Sequence, residues 1–403
     1  MSEEENKLPP SETEEKEARK KRFRKNAIFV FIFLCLVALV ATLIFSFGDI
    51  SKMASAFTEM IQGGNVFYLI LAIACGVVFF ILYPIPLLLI GRKCKLKSKK
   101  SDLWLVGNCE HFYNGVTPSS VGGQPFQALA LHQGGDTGAS ATGVILMNYI
   151  NIVSCSVLFG FISLIYYPKY VQGLANIKGL DMDLSSLQWI AVLGIILNSL
   201  NLAFFVVLGF SKTARRIIMK LVALVLRPKW INKRLGKFIP TIEDYLERTQ
   251  ATAKEVIRHW KTFILAVVIR MLILSVCYSI PFFLMMAMPS LEIHWTDFWV
   301  CMLGNAFATV CVAWFPTPGA VGAGELVGAV VLGSITVHSG QALDYNIAQA
   351  VSLLSRGISF YMILLFSFVV SVIFEVKISR RHPVIKPQAV EQVQAIPEEE
   401  KSE

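Results

Sequence analysis

Charge is what this 403-residue chain has least of: Asp, Glu, Lys and Arg make up 16% of it, against 55% apolar residues. That composition excludes a soluble fold of this length, and with a mean hydropathy of +0.59 the chain reads as an all-α polytopic membrane protein. Cysteine pairing is missing as well. Cys35, Cys75, Cys94, Cys109, Cys155, Cys277, Cys301 and Cys311 are scattered, mostly inside apolar runs, with no CxxC pair, so neither a disulfide framework nor a zinc site is implied. No histidine cluster has metal-ligand spacing, and no metal is expected. Neither a P-loop nor a dinucleotide fingerprint is present, so no cofactor is expected and ATP is not the direct energy source. No nucleophile or acyl-acceptor constellation marks catalytic residues.

What charge there is, a net +9, is concentrated in patches that suit an anionic lipid surface better than nucleic acid. Residues 1–26 read as a disordered cytoplasmic tail, glutamate-rich at first and basic at Arg19, Lys20, Lys21, Arg22, Arg24 and Lys25. Ala27–Phe47 then runs without a charge until Asp49, roughly 30 Å of helix. No small-residue cleavage site follows, so it reads as a retained first span. Further spans are expected at Val66–Ile90, Ala139–Tyr166, Leu187–Phe210, Phe263–Met288 and Ile347–Phe374, with a mixed apolar stretch at Phe298–Val337. The loops beginning at Arg92 and at Lys212 are basic, as is the end of the last span at Lys377, Arg380 and Arg381, which places all three in the cytoplasm. Within the membrane domain, 27–374, the segment 211–261 is thus a basic cytoplasmic insert, expected as two surface helices joined at Arg227–Pro240. Residues 375–403 form a cytoplasmic C-terminal tail.

One element occurs twice: TPSSVGGQP at Thr117–Pro125 and TPGAVGAGE at Thr317–Glu325. Counting sides of the membrane, the first copy begins and ends inside and the second begins and ends outside. The expectation is six full transmembrane helices plus two re-entrant helical hairpins in an inverted-topology repeat, an arrangement transporters use. Non-helical backbone in hydrocarbon is tolerated only when buried in protein or lining a wet cavity. Pro118 and Pro318 stop a preceding helix, while Gly122, Gly123, Gly319, Gly322 and Gly324 allow positive φ and close backbone approach. The helices that follow would turn N–H groups toward an anionic head group. The plainer alternative is that each copy only kinks a span or packs two helices.

Ionisable residues inside apolar sequence each need a partner or water, because a centred charge costs at least ~2.5 kcal/mol. Glu325 opens the helix after the second turn, and Arg356, well inside the last span, is its expected partner. Arg270, in the fifth span, has two readings: a functional buried charge, or a side chain snorkelling to phosphates from near the cytoplasmic end. Asp136 and Asn148 repeat the spacing of Asp344 and Arg356, so Asn148 marks where a matching arginine would stand. Asn151, Asn198 and Asn201 read as hydrogen-bonding glue between helices. Glu110 and His111 read as an interfacial polar pair rather than a proton relay.

Pro118-x-x-x-Gly122-Gly123-Gln124 and Pro318-Gly319-x-x-Gly322-x-x-Glu325, followed by Arg356, resemble the two signature regions of the lysylphosphatidylglycerol synthase transmembrane family, the flippase-like domain. The resemblance covers about Ala27–Phe374. Family members often carry a glutamate after GG and an arginine on the next span, where this chain has Gln124 and Asn148. The resemblance implies translocation of an anionic or aminoacylated phospholipid across a bacterial cell membrane, as in the membrane part of the multiple peptide resistance factor, with a bearing on antibiotic resistance. Membrane phospholipids are the expected partners. The residues that would grip the lipid are Pro118, Gly122, Gly123, Gln124, Asn148, Arg270, Pro318, Gly319, Gly322, Glu325 and Arg356. Two other readings stay open. One is a phosphatidylglycerol lysyltransferase using lysyl-tRNA, although the insert and the tail are too short for a folded transferase domain. The other is a membrane subunit that docks a separate cytoplasmic synthase. A homo-oligomer fits any of the three.

Overall fold

The computed structural model describes residues 50–117, 120, 122–166, 184–225, 239–335 and 343–381. The chain divides into two units. Of one, Met1–Leu39 with Glu375–Glu403, only Glu375–Arg381 is described; the other, Val40–Phe374, holds everything discussed below. The expected first span, Ala27–Phe47, lies outside the described residues, as do Pro118 and the joint between the two helices of the basic insert.

Among the described residues the structure is helical, without a strand. In order come α1 (Ile50–Thr58), α2 (Val66–Leu82), α3 (Ile85–Lys93), α4 (Lys100–Val116), α5 (Gly123–Gln133), α6 (Gly138–Tyr166), α7 (Leu184–Phe210) and α8 (Lys212–Val225). Then follow α9 (Ile239–Arg258), α10 (Trp260–Tyr278), α11 (Ile280–Met286), α12 (Phe298–Val312), α13 (Ala323–Gly333), α14 (Tyr345–Arg356) and α15 (Ile363–Arg381). Prolines set two of the breaks. Pro84 and Pro86 separate α2 from α3, and Pro281 opens α11 after α10, because proline removes a ladder hydrogen bond but is tolerated in the first turn of a new helix.

Six helical stretches are long and apolar enough to cross a membrane: Val66–Lys93, Gly138–Tyr166, Gln188–Phe210, Trp260–Met286, Trp295–Val312 and Tyr345–Ile378. The chain is a multi-pass helical membrane protein. Five of them match expected spans, the expected first span lies outside the described residues, and Trp295–Val312 is an addition that falls mostly in the mixed apolar stretch. That stretch alternates small residues with large ones, which lowers its mean hydropathy while leaving a helix of full length. Polarity runs opposite to that of a soluble domain. Phe67, Leu193, Leu200 and Leu272 face outward, whereas Asn108, Glu110, Gln127, Asn148, Asn151 and Arg270 are buried. Trp189, Trp260 and Trp295 stand exposed at or beside the first residues of three spans, where indole rings suit a membrane–water boundary.

The two copies of the doubled element each occupy the turn of a helical hairpin. α4 packs on α5 across the first copy, and α12 packs on α13 across the second. The short 3₁₀ turn Pro318–Ala320 also packs against α4, so the two hairpins touch. α13 lies along α14, and α5 along α6. The insert forms two helices, as expected, but α9 is not confined to the surface. It packs on α6 and α7, and Gln250 Nε2 donates to the carbonyls of Leu208 (2.9 Å) and Ser211 (3.1 Å), satisfying groups that the end of α7 leaves open.

Candidate functional site

The second turn is built around Glu325, in the first turn of α13. Its Oε2 accepts from the Gly322 N–H at 2.7 Å, a favourable place for a carboxylate because the exposed N–H groups of a helix start carry partial positive charge. Its Oε1 accepts from Tyr361 Oη (2.7 Å) and from Arg356 Nε (3.3 Å). Arg356 ends α14, and its Nη2 donates to the Gly319 carbonyl at 2.8 Å while its guanidinium lies 4.5 Å from the Phe360 ring centre. Phe360 and Tyr361 both reach this spot because Gly357–Met362 is a π turn, whose wider winding brings the fourth and fifth residues after Arg356 to the same face. Gly319, at φ 60°, holds a left-handed conformation, and a Cβ there would lie 2.1 Å from the Phe360 ring. Gly322 is also left-handed, at φ 85°.

Beside the pair lies a cavity of about 40 Å³, lined by Asn305 and Thr309 of α12, Gly324 and Gly328 of α13, and Ser352 and Arg356 of α14. Glu325 and Arg356 keep 13% and 22% of their side-chain surface exposed. Arg356 Nη1 has no partner among the described residues. The space admits water or a small polar group, and a whole phospholipid head group enters only if the helices part.

The first turn matches the second at one described position and has different chemistry. Ser120 and Ala320, at matching places in the two copies, share a left-handed φ of 54° and 53°, and each N–H donates to the carbonyl of the matching threonine, Thr117 at 3.2 Å or Thr317 at 3.1 Å. Here the carboxylate comes from the helix before the turn. Glu110, on α4, accepts from Gln124 Nε2 (3.1 Å), Asn114 Nδ2 (3.4 Å) and Gln127 Nε2 (3.1 Å). The N–H groups of Gly122 and Gly123 are taken by Thr117 Oγ1 (2.9 Å) and Asn114 Oδ1 (2.8 Å). Those N–H groups, like that of Gly322, are therefore capped by the protein itself, against the expectation that they face a guest.

Arg270 lies 1% exposed in the interior and does not snorkel. It reaches across to the first half, donating through Nη2 to Asn148 Oδ1 (3.0 Å), through Nε to Asn151 Oδ1 (3.3 Å) and through Nη1 to the Tyr83 carbonyl (3.0 Å). Tyr83 lies in the break between α2 and α3, and its ring centre is 4.3 Å from the guanidinium. The arginine missing at Asn148 is thus supplied by α10, with the Asn148 amide as its acceptor.

A family model described as the lysylphosphatidylglycerol synthase TM region matches residues 27–367, most of the chain. The chain belongs to this family. Comparison with curated proteins and with solved structures returns no match. In this lysylphosphatidylglycerol synthase TM region, the fold gathers the residues singled out from the sequence into two clusters. Gly319, Gly322, Glu325 and Arg356 form one, with Pro318 opening its turn. Gly122, Gly123 and Gln124 belong to the other around Glu110, and Asn148 joins it through Arg270.

Two details differ from expectation. Of the five motif glycines only Gly319 and Gly322 use positive φ. Gly122, at φ −78°, is required by space, since a Cβ would lie 2.5 Å from the Thr117 side chain. Glu110 is 2% exposed, enclosed by protein rather than open to solvent. Tyr83, Gln127 and Tyr361 were not anticipated. Tyr361 carried a usable signal, a polar-tipped residue one turn beyond an intramembrane arginine, whereas nothing in sequence order joins Tyr83 or Gln127 to Arg270 or Glu110. Among the described residues no group of His, Cys, Asp and Glu has the makings of a metal site.

Proposed function

We propose that this membrane domain moves a phospholipid with an anionic or aminoacylated head group across the bilayer. The observation that carries the reading is the Glu325–Arg356 pair, set at a glycine turn beside a polar-lined cavity, with one guanidinium nitrogen left for a guest. Arginine suits phosphate because its planar fork can donate two parallel hydrogen bonds. A carboxylate beside it accommodates a head-group ammonium. Recurrence of the order broken helix, hairpin, long helix supports an inverted repeat, with both termini in the cytoplasm and the hairpins entering from opposite faces. Transport then proceeds by one half parting from the other around the touching turns.

The test is a head-group-labelled lipid in proteoliposomes, read by an external quencher. Glu325→Gln and Arg356→Ala are expected to slow its appearance about tenfold or more, a barrier change of about 1.4 kcal/mol or greater. Wild-type rates equal to those of empty liposomes for every lipid tried would remove the reading. Cysteines placed near Gly123 and Gly322 in a cysteine-free background should label from the cytoplasmic and external sides respectively; labelling from one side would break the inverted repeat.

A second reading rests on the family description itself, which names lysylphosphatidylglycerol synthesis. It calls for lysyl transfer from tRNA to phosphatidylglycerol, either by this chain or by a synthase docked on it. Incubation of the purified protein with lysyl-tRNA and phosphatidylglycerol decides the first form, and failure to make the lysyl lipid would sink it.

A further inference from the structure

We propose that Glu110 is a proton-binding site, and that the proton it takes up and releases is coupled to movement of lipid through the second hairpin. The coupling rests on the transport reading; the proton site does not.

Glu110 and Glu325 are two carboxylates at corresponding hairpins, held in different ways. Glu325 is locked in a direct ion pair with Arg356. Among the described residues Glu110 forms no direct ion pair. Its hydrogen-bonding neighbours are neutral, the amides of Asn114, Gln124 and Gln127 and the Tyr83 hydroxyl, and the buried cation that faces it, Arg270, directs its hydrogen bonds to Asn148, Asn151 and the Tyr83 carbonyl. An ion-paired carboxylate must break the pair to take a proton. One solvated by amides needs only a neighbour that can change from donor to acceptor.

Gln127 is that neighbour. It is fully buried, its Nε2 donates to Glu110 Oε2, and its own Oε1 has no hydrogen-bond partner among the described residues. A buried acceptor left unmatched is unfavourable. Turning the amide over brings Oε1 to face Glu110, where only a protonated carboxyl can satisfy it. The change costs Gln127 its 3.3 Å bond to the Val106 carbonyl and moves no backbone. Other buried atoms without partners among the described residues include Asn151 Nδ2 beside Arg270 and His111 Nε2 on Glu110's own helix, and each is a place where a water could bond.

The titratable and charged groups facing Glu110 are Tyr83 from the α2–α3 break, His111 on its own helix, Tyr149 from α6 and Arg270 from α10. α5 contributes only Gln124 and Gln127. In the step itself, water on one side delivers a proton to Glu110 Oε2, the new O–H donates to Gln127 Oε1, and the proton leaves to water on the other side once the halves have moved. No other bond forms or breaks.

Two measurements on the full chain test this. Infrared difference spectra of the protein in phosphatidylcholine nanodiscs, recorded over a pH series, should show a protonated carboxyl band. That band should be absent in Glu110→Gln and displaced in frequency and midpoint in Glu110→Asp, which keeps a titrating group should the glutamine variant fail to fold. A band unchanged in both variants would overturn the proton site, whether or not any lipid moves. In proteoliposomes, an imposed proton gradient should raise the wild-type lipid rate, and the ratio of rates with and without the gradient should fall to one in Glu110→Gln. An undiminished ratio would overturn the coupling. If the wild type moves no lipid, the transport reading fails while the infrared result still decides the site.

Discussion

The two hairpins start from nine-residue elements that share Thr, Pro, Val and Gly at matching places, and they end with different electrostatics. In the second, acid and base sit in direct contact next to a cavity, partly exposed. In the first, acid and base are fully buried and each is satisfied by amides. The backbone is alike at Ser120 and Ala320, which share a left-handed φ, and differs at Gly122 and Gly322, at φ −78° and 85°. The difference comes from the neighbouring helices. α14 carries Arg356 to its turn, whereas α6 offers Asn148 and leaves the cation to α10. A repeated loop thus places the two turns, and their surroundings decide whether the charge is open to the cavity.

The sharpest way to break this comparison is to remove each arginine and measure folding rather than transport. Arg270→Met strands the buried acceptors of Asn148, Asn151 and Tyr83, at about 1–3 kcal/mol each, read as earlier unfolding in a detergent or thermal titration. Arg356→Met, at a site already open to a cavity, should cost much less; equal losses would mean that the two sites are alike. Next in size is Gly319→Ala, where a left-handed residue gains a Cβ inside the Phe360 ring. Strain of about 1–3 kcal/mol is expected, whereas Gly122→Ala, at ordinary φ, has only the Thr117 side chain to displace. Smallest is Tyr361→Phe, which removes one hydrogen bond to the Glu325 carboxylate, about 1.5 kcal/mol. It should loosen the second pair without touching the titration of Glu110.

The second site was largely legible in the sequence and the first was not. Glu325 follows its turn directly, and Arg356 is an arginine inside an apolar span that has to find an anion, so local order and the cost of a buried charge suffice to join them. Glu110 precedes its turn by a full helical run and sits among polar neighbours that imitate an interface. Arg270 finds its acceptors on α6 and in the α2–α3 break, and no periodicity along one helix tells which other helix it will meet. Five spans were read from hydropathy, and one was added: Trp295–Val312 is long enough to cross, but its small residues dilute its apolarity. α9 was expected on the surface because it is polar, yet buried Thr249 and Gln250 seat it on α6 and α7.

The π turn at Gly357–Met362 has a bearing on register. A helix is a screw, and one added residue either rotates everything beyond it by about a quarter turn or is absorbed locally as a bulge. Absorption preserves the phase of α15, where Ser367 bonds to the backbone of α4 at Phe112 (2.9 Å) and at Asn108. Arg356 on one side of the bulge and Ser367 on the other can therefore grip the two hairpins at once, and a single deletion within the turn would leave both grips aligned while dislodging Phe360 and Tyr361.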